Sequence, residues 1–213
     1  MKILNLKEKV KSYYMTDDPA HDWNHVERVA FNAKSICDME KVDSEITLAA
    51  VYCHDLINLP KNHPDRAKAS ELSAQEAEIH LRSVGFNQNE IEQIKQGITQ
   101  HSYSRGEKPS SIHSAIVQDA DRLDAIGAIG IIRCAVTAGK LNSKLYSPAD
   151  PLGENRVLDD KKFMIDHYFL KLFKLPDLMN TESAKKIAQE RVQFMKSFLS
   201  TFNQEISYVD HSI

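Results

Sequence analysis

Leu48-Ala49-Ala50-Val51-Tyr52-Cys53-His54-Asp55 runs six uncharged residues straight into an imidazole and a carboxylate. Ile46, Ala49, Ala50 and Cys53 recur at three- and four-residue spacing, the period of a helix. The apolar character of the rest predicts that this helix is buried on most sides. It delivers His54 and Asp55 at its C-terminal end, before Pro60. Such groups are costly to bury unless they are paired or hold a cation, so this helix end asks for a partner.

Working outward, Val26, Val29, Ala30, Ala33, Ile36 and Cys37 paint one apolar stripe on a helix over 24–39, with His25 at its start. A third helix is expected over 65–84, followed by Gly85 as a left-handed cap. Asn87 and Glu90 have the form of a capping box, and Ile91, Ile94 and Ile98 carry the next stripe towards His101. Residues 112–138 read as a central helix or a closely packed helix pair carrying Asp119, Asp121 and Asp124. The stretch 141–155 is broken by Ser147, Pro148, Asp150, Pro151 and Gly153 and reads as an irregular, mobile flap. Helical pattern resumes over 157–173 and again from Thr181, an N-cap, to about Phe202. No segment alternates as a strand, so the expected class is all-α.

The bulk numbers agree with one helical domain over 1–213, its core at about 20–140 and its C-terminal helices at about 157–205 packing on it. A hydrophobic share of 42% with 27% charged residues supports an apolar core, and only seven glycines and seven prolines interrupt the chain. A net charge of −3 with mixed signs gives no footprint for duplex nucleic acid. No run approaches the ~20 apolar residues of a membrane helix, and no secretory pattern opens the chain. Cys37, Cys53 and Cys134 are too far apart for a zinc site and read as reduced thiols in a cytoplasmic protein.

Metal-capable side chains interrupt the apolar pattern in three places: His21-Asp22-Trp23-Asn24-His25, His54-Asp55, and Asp119-Ala120-Asp121-Arg122-Leu123-Asp124. Two imidazoles with two carboxylates suit one divalent ion among Mn²⁺, Mg²⁺, Fe²⁺, Zn²⁺, Co²⁺ and Ni²⁺ rather than Ca²⁺. Such an ion lowers the pKa of a bound water and withdraws charge from phosphorus, which is the physical case for phosphoester or phosphoanhydride hydrolysis. His21 lies four residues before His25 and is read as bracing the entry turn. Asp22 is either an N-cap or a hydrogen-bond partner of a metal-bound imidazole.

The ordered set of a spaced His, an adjacent His-Asp and a distant Asp within Ala-Asp-Arg-Leu resembles the HD superfamily of metal-dependent phosphohydrolases. The resemblance is strongest to small bacterial HD proteins with His-Asp-Trp-x-His-Val-x-Arg-Val, here residues 21–29, and Asp-Ala-Asp-Arg-Leu-Asp-Ala-Ile-Gly, here 119–127. It implies an HD-domain helical bundle with a metal site between core helices, and it assigns the ligand roles to His25, His54, Asp55 and Asp121. Two departures narrow it. Leu56-Ile57-Asn58-Leu59-Pro60-Lys61 lacks the acidic residues of guanosine-polyphosphate hydrolases. The Gly-Tyr-Pro signature of cyclic-dinucleotide phosphodiesterases is missing and His101 stands alone, so one metal is expected.

Around that ion, Lys61 and Arg66 are placed to grip phosphate oxygens, and Asp65 to orient one of them or the attacking water. His101 is read as a hydrogen-bond donor to phosphate or the acid for a leaving group, with His54 and Asp55 also part of the catalytic set. Arg122 and Asp124 are read as steering substrate. The resemblance implies a small-molecule nucleotide as the partner and hydrolysis of nucleoside or deoxynucleoside triphosphates to monophosphate and diphosphate through a metal-bound water. A nucleotide monophosphate phosphatase and a noncatalytic nucleotide sensor signalling through the flap are the alternatives. Neither a homo-oligomer nor a monomer follows from the sequence.

Overall fold

The computed structural model describes residues 1–16, 22–59, 63–102 and 106–207. Among the described residues the chain is all-α, as expected, with nine α-helices and one isolated bridge between Lys144 and Phe163. None of these helices is long and apolar enough to cross a membrane. The chain divides into two compact units. Met1–Arg122 with Asn180–Ala184 forms the first, and Leu123–Met179 with the residues from Lys185 onward forms the second. The division falls inside the stretch that the sequence presents as one core.

The first unit contains α1 (Lys2–Val10), α2 (Trp23–Glu40), α3 (Glu45–Cys53), α4 (Ala69–Ser83), α5 (Gln88–Gln100) and α6 (Ile112–Asp124) as far as Arg122. Helix α3 sits at the centre, packed against α1, α2, α4 and α5. Thr47 and the five residues from Ala49 to Cys53 are all buried, which is why this helix carries no polar face. Helix α4 starts later than the hydrophobic pattern suggests. A 3₁₀ turn, Arg66–Lys68, precedes it, closed by Lys68 N–H donating to the Asp65 carbonyl at 2.8 Å. Helix α5 opens with the expected capping box between Asn87 and Glu90. It also comes unusually close to its neighbours. A Cβ at Gly97 would stand 3.1 Å from Ala50 Cβ on α3 and 3.6 Å from Val117 Cγ2 on α6, so glycine sets that approach.

The second unit contains α7 (Gly127–Lys140), α8 (Met164–Leu170), a 3₁₀ segment Leu172–Leu178 and most of α9 (Glu182–Ser207). The apolar stretch 112–138 is a helix pair, broken where Ile126 is extended and Gly127 takes φ +78°. Asp124 at this break is buried and pairs with Arg133 at 2.9 Å.

Residues 141–155 are irregular, as expected, and are hydrogen-bonded both internally and to the segment that follows. Lys144 N–H donates to Lys162 O at 2.9 Å, and Lys144 O accepts from Met164 N–H at 2.8 Å. Asp150 accepts from the main chain of Glu154 and Asn155, and Arg156 grips the buried Asp166 with both terminal nitrogens. These bonds occupy the main chain that a helix over 157–173 would need, and the helix is confined to Met164–Leu170. Helix α9 starts after Thr181, whose hydroxyl accepts from Ala184 N–H at 3.3 Å, as an N-cap should.

Candidate metal centre

Three helix ends and one helix face in the first unit converge on the polar cluster. His25 occupies the third position of α2, where Asp22 caps the helix by accepting from His25 N–H at 2.9 Å. Asp22 is therefore an N-cap, and its second oxygen accepts from Asn24 Nδ2 at 3.0 Å. His54 is the residue that ends α3, and Asp55 follows it. His101 ends α5 in the same right-handed conformation. Asp121 lies in the last turn of α6.

The two helix-ending histidines are oriented by the same device. His54 Nδ1 lies 2.7 Å from the Val51 carbonyl and His101 Nδ1 lies 2.6 Å from the Ile98 carbonyl, three residues back in each case. A carbonyl only accepts, so each Nδ1 carries the proton and each Nε2 is turned to the cluster. His54 Nε2 is buried and has no hydrogen-bond partner. A buried, unpaired nitrogen lone pair is what an ion would satisfy.

Oxygens surround these nitrogens at non-bonding distance. His25 Nε2 is 3.6 Å from Asp121 Oδ1, His54 Nε2 is 3.6 Å from Asp55 Oδ2, and His101 Nε2 is 3.5 Å from Asp55 Oδ1. These separations are too long for good hydrogen bonds. They match the roughly 3–3.5 Å between two atoms that each sit about 2.1 Å from one ion. The donor atoms of His25, His54 and Asp121 all lie within 4.8 Å of one another, and so do those of His54, Asp55 and His101. The imidazole of His54 stands between the other two, with ring centroids 5.5 Å from His25 and 5.0 Å from His101.

Electrostatics favour a cation here. Burial pulls the His54 pKa below the ordinary imidazole value, with Asp55 and Asp121 pulling it back less strongly. A neutral imidazole at neutral pH is the ligand form. Burial alone would raise Asp121, but His25, His54 and His101 outweigh it and hold its carboxyl below the usual range. Burial would lower His101, and Asp55 and Asp121 outweigh that too, so its pKa is raised.

The structure thus brings together the four residues matched by motif and adds His101 to them. Other expected site residues have partners of their own. Arg66 donates Nη1 to Asn58 Oδ1 at 2.7 Å and to the Leu59 carbonyl, bracing the loop after His54-Asp55. Asp65 pairs with Lys68 at 2.9 Å across an exposed turn. Arg122 is half-buried. Asp124 is buried and pairs with Arg133 at 2.9 Å in the second unit. Lys61 and His21 lie outside the described residues. The sequence reading set His101 around the ion, and the structure adds that its ring and that of His54 are held by the same carbonyl device.

The HD domain family profile matches residues 22–126, the segment that supplies every member of this cluster. The chain belongs to the HD family and is a metal-dependent hydrolase of the HD superfamily. It is 36% identical to the YpgQ protein of Bacillus subtilis over 99% of this chain and 98% of that one. The crystal structure of YpgQ in complex with ADP superposes with a TM-score of 0.75 at 33% identity, over 96% of this chain and 97% of that chain. A crystal structure of an HD-superfamily hydrolase from Bacillus thuringiensis gives 0.74 at 30% identity over 96% of each chain.

Proposed function

We propose that this chain hydrolyses nucleoside or deoxynucleoside triphosphates to monophosphate and diphosphate, using one divalent ion held by His25, His54, Asp55 and Asp121. The observation that carries the metal reading is the bare, buried Nε2 of His54, 3.6 Å from Asp55 Oδ2 and within 4.8 Å of a carboxylate oxygen of Asp121. A nucleotide substrate is supported by the ADP bound to the similar YpgQ. Bound there, the ion would supply Lewis acidity towards a phosphoryl oxygen and a lower pKa for water.

The chain's own groups do the rest. Hydrogen bonds from Nδ1 of His54 and His101 to main-chain carbonyls hold both rings before substrate arrives. His101 exchanges protons with the site only through Nε2, which faces Asp55 Oδ1. That places a proton donor for the leaving diphosphate oxygen beside the charge that keeps it protonated. Asp55 shares its two oxygens between His54 and His101 and so couples the ion to that donor. Lys61 and Arg66, which follow His54-Asp55 in sequence, would neutralise phosphate charge as the transition state forms.

A screen for phosphate and diphosphate release over nucleotides, with Mn²⁺, Mg²⁺, Co²⁺ or Ni²⁺ added, tests the reading. Diphosphate with monophosphate is the expected product pair. Phosphate from a monophosphate would move the assignment to a phosphatase, and tight nucleotide binding without turnover would favour a sensor. His54→Ala and Asp55→Ala should each lose the metal and fall to background, and retained turnover in both would overturn the mechanism.

A further inference from the structure

Asp121 reaches the cluster from within a helix, so its position depends on the height and rotation of α6. The three residues before it are each gripped from a different direction. Gln118 is buried and donates Nε2 to the Gln100 carbonyl at 2.6 Å and to the Glu107 carbonyl at 2.8 Å. Gln100 is the residue before His101, so this side chain ties the Asp121 helix to the end of the His101 helix.

Asp119 has no exposed surface and accepts four bonds on its two oxygens. Asn180 N and Nδ2 donate to one at 2.9 and 2.8 Å, and Thr181 N and Oγ1 donate to the other at 2.8 Å each. Asn180 Nδ2 also reaches Gln118 Oε1 at 3.1 Å, joining the two grips. The Ala120 carbonyl accepts from Asn32 Nδ2 at 3.2 Å, and Asn32 is seven residues, two turns, beyond His25 on the same face of α2. All these residues belong to the first unit.

A buried carboxylate is expensive, and hydrogen bonds to it are strong and directional. Four of them, two from consecutive main-chain N–H groups and two from the side chains of the same residues, hold the turn 118–121 against rotation. We infer that Asp119, held by Asn180 and Thr181 and joined to Gln118, is a positioning residue that sets Asp121 on the metal. The inference rests on Asp121 being a ligand. Nothing in the reaction requires Asp119 to touch substrate or ion.

The test measures Mn²⁺ affinity by chelator competition and the visible absorption of the Co²⁺-loaded protein, alongside the melting temperature. Asp119→Asn is expected to weaken Mn²⁺ binding about 10- to 100-fold, the usual cost of losing a group that orients a ligand, and to alter the Co²⁺ bands. Thr181→Val should act in the same direction, and Thr181→Ser, which keeps the hydroxyl, should behave as wild type. Leu81→Ala, in the core of α4, serves as a variant destabilised away from the grip and should keep the wild-type Co²⁺ spectrum. Should Asp119→Asn fail to fold, Thr181→Val and Gln118→Glu decide the matter. Wild-type affinity and spectrum in the folded grip variants would overturn the proposal, and so would an equal loss in Leu81→Ala. Asp121→Ala separates the premise: if it binds Mn²⁺ as tightly as wild type, the ligand reading is at fault, whereas loss there with none in Asp119→Asn sinks the positioning role alone.

Discussion

His101 shows how a residue's expected role gains a geometry once its surroundings are known. As a letter in Gln100-His101-Ser102 it is one histidine in nine. In the fold it is buried, with Nδ1 spent on the Ile98 carbonyl and Nε2 facing Asp55. His101→Gln is expected to keep the metal and to lower kcat by about 10²–10⁴, the range for removing an acid-base group, as read by steady-state kinetics with metal analysis. Asp166 gives a second residue-scale prediction, this one for stability. Burial pushes its carboxyl up, but the paired guanidinium of Arg156 and the Asp159 N–H outweigh burial, and the net shift is downward. A lowered carboxylate contributes stability that is present above its unfolded pKa and is lost as pH falls through the folded one. Asp166→Asn should therefore cost about 1.5–3 kcal/mol near pH 7, the range for losing hydrogen bonds to a charged group, because Arg156 is only part-buried and keeps its bond to the Asp150 carbonyl. It should also flatten the fall in stability below about pH 4, measured by urea unfolding across pH.

At the scale of elements, the site depends on how closely helices approach. Gly97 brings α5 against α3 and α6, the three helices that present His101, His54 and Asp121. Gly97→Val puts a Cβ 3.1 Å from Ala50 Cβ and adds two methyl groups beyond it, and the backbone must move because alanine has no torsion to yield. Overpacking of this kind costs about 1–3 kcal/mol. The expected readout is a lower melting temperature together with weaker Mn²⁺ binding, since the same displacement separates the ligands. Unchanged metal affinity in a destabilised Gly97→Val would show that the ligands do not depend on this crossing. Elements were readable in the sequence where a local rule governs them. Asn87 and Glu90 cap α5, Thr181 caps α9, and the apolar run 48–53 is a buried helix. They were misread where distant partners decide, as over 157–163, where Asp166 and the Lys144 pairing take the main chain away from a helix.

For the whole molecule, an ion that binds only the folded chain must stabilise it. At a free Mn²⁺ concentration of 100 times the dissociation constant the gain is about 2.7 kcal/mol, which should appear as a rise in melting temperature that a chelator abolishes. His54→Ala should not respond to Mn²⁺ in the same scan, and a full response there would mean that the ion stabilises the fold from another place. Asp121 keeps 28% of its side chain exposed, whereas His25, His54 and His101 are buried.

The sequence by itself determined the all-α class and the HD family, and it nominated all five residues of the cluster, four of them as ligands and His101 as an acid or phosphate donor. Helix period, caps and an ordered motif are local properties, written in residues a few positions apart. Only the tertiary structure decided that His101 shares Asp55 with His54, that Asp124 pairs with Arg133, and that Asp119 faces Asn180 and Thr181 from 61 and 62 residues away in the chain. Those contacts depend on how helices end, cross and rotate against one another, and such geometry is set by packing among distant segments, which no spacing within a single segment encodes.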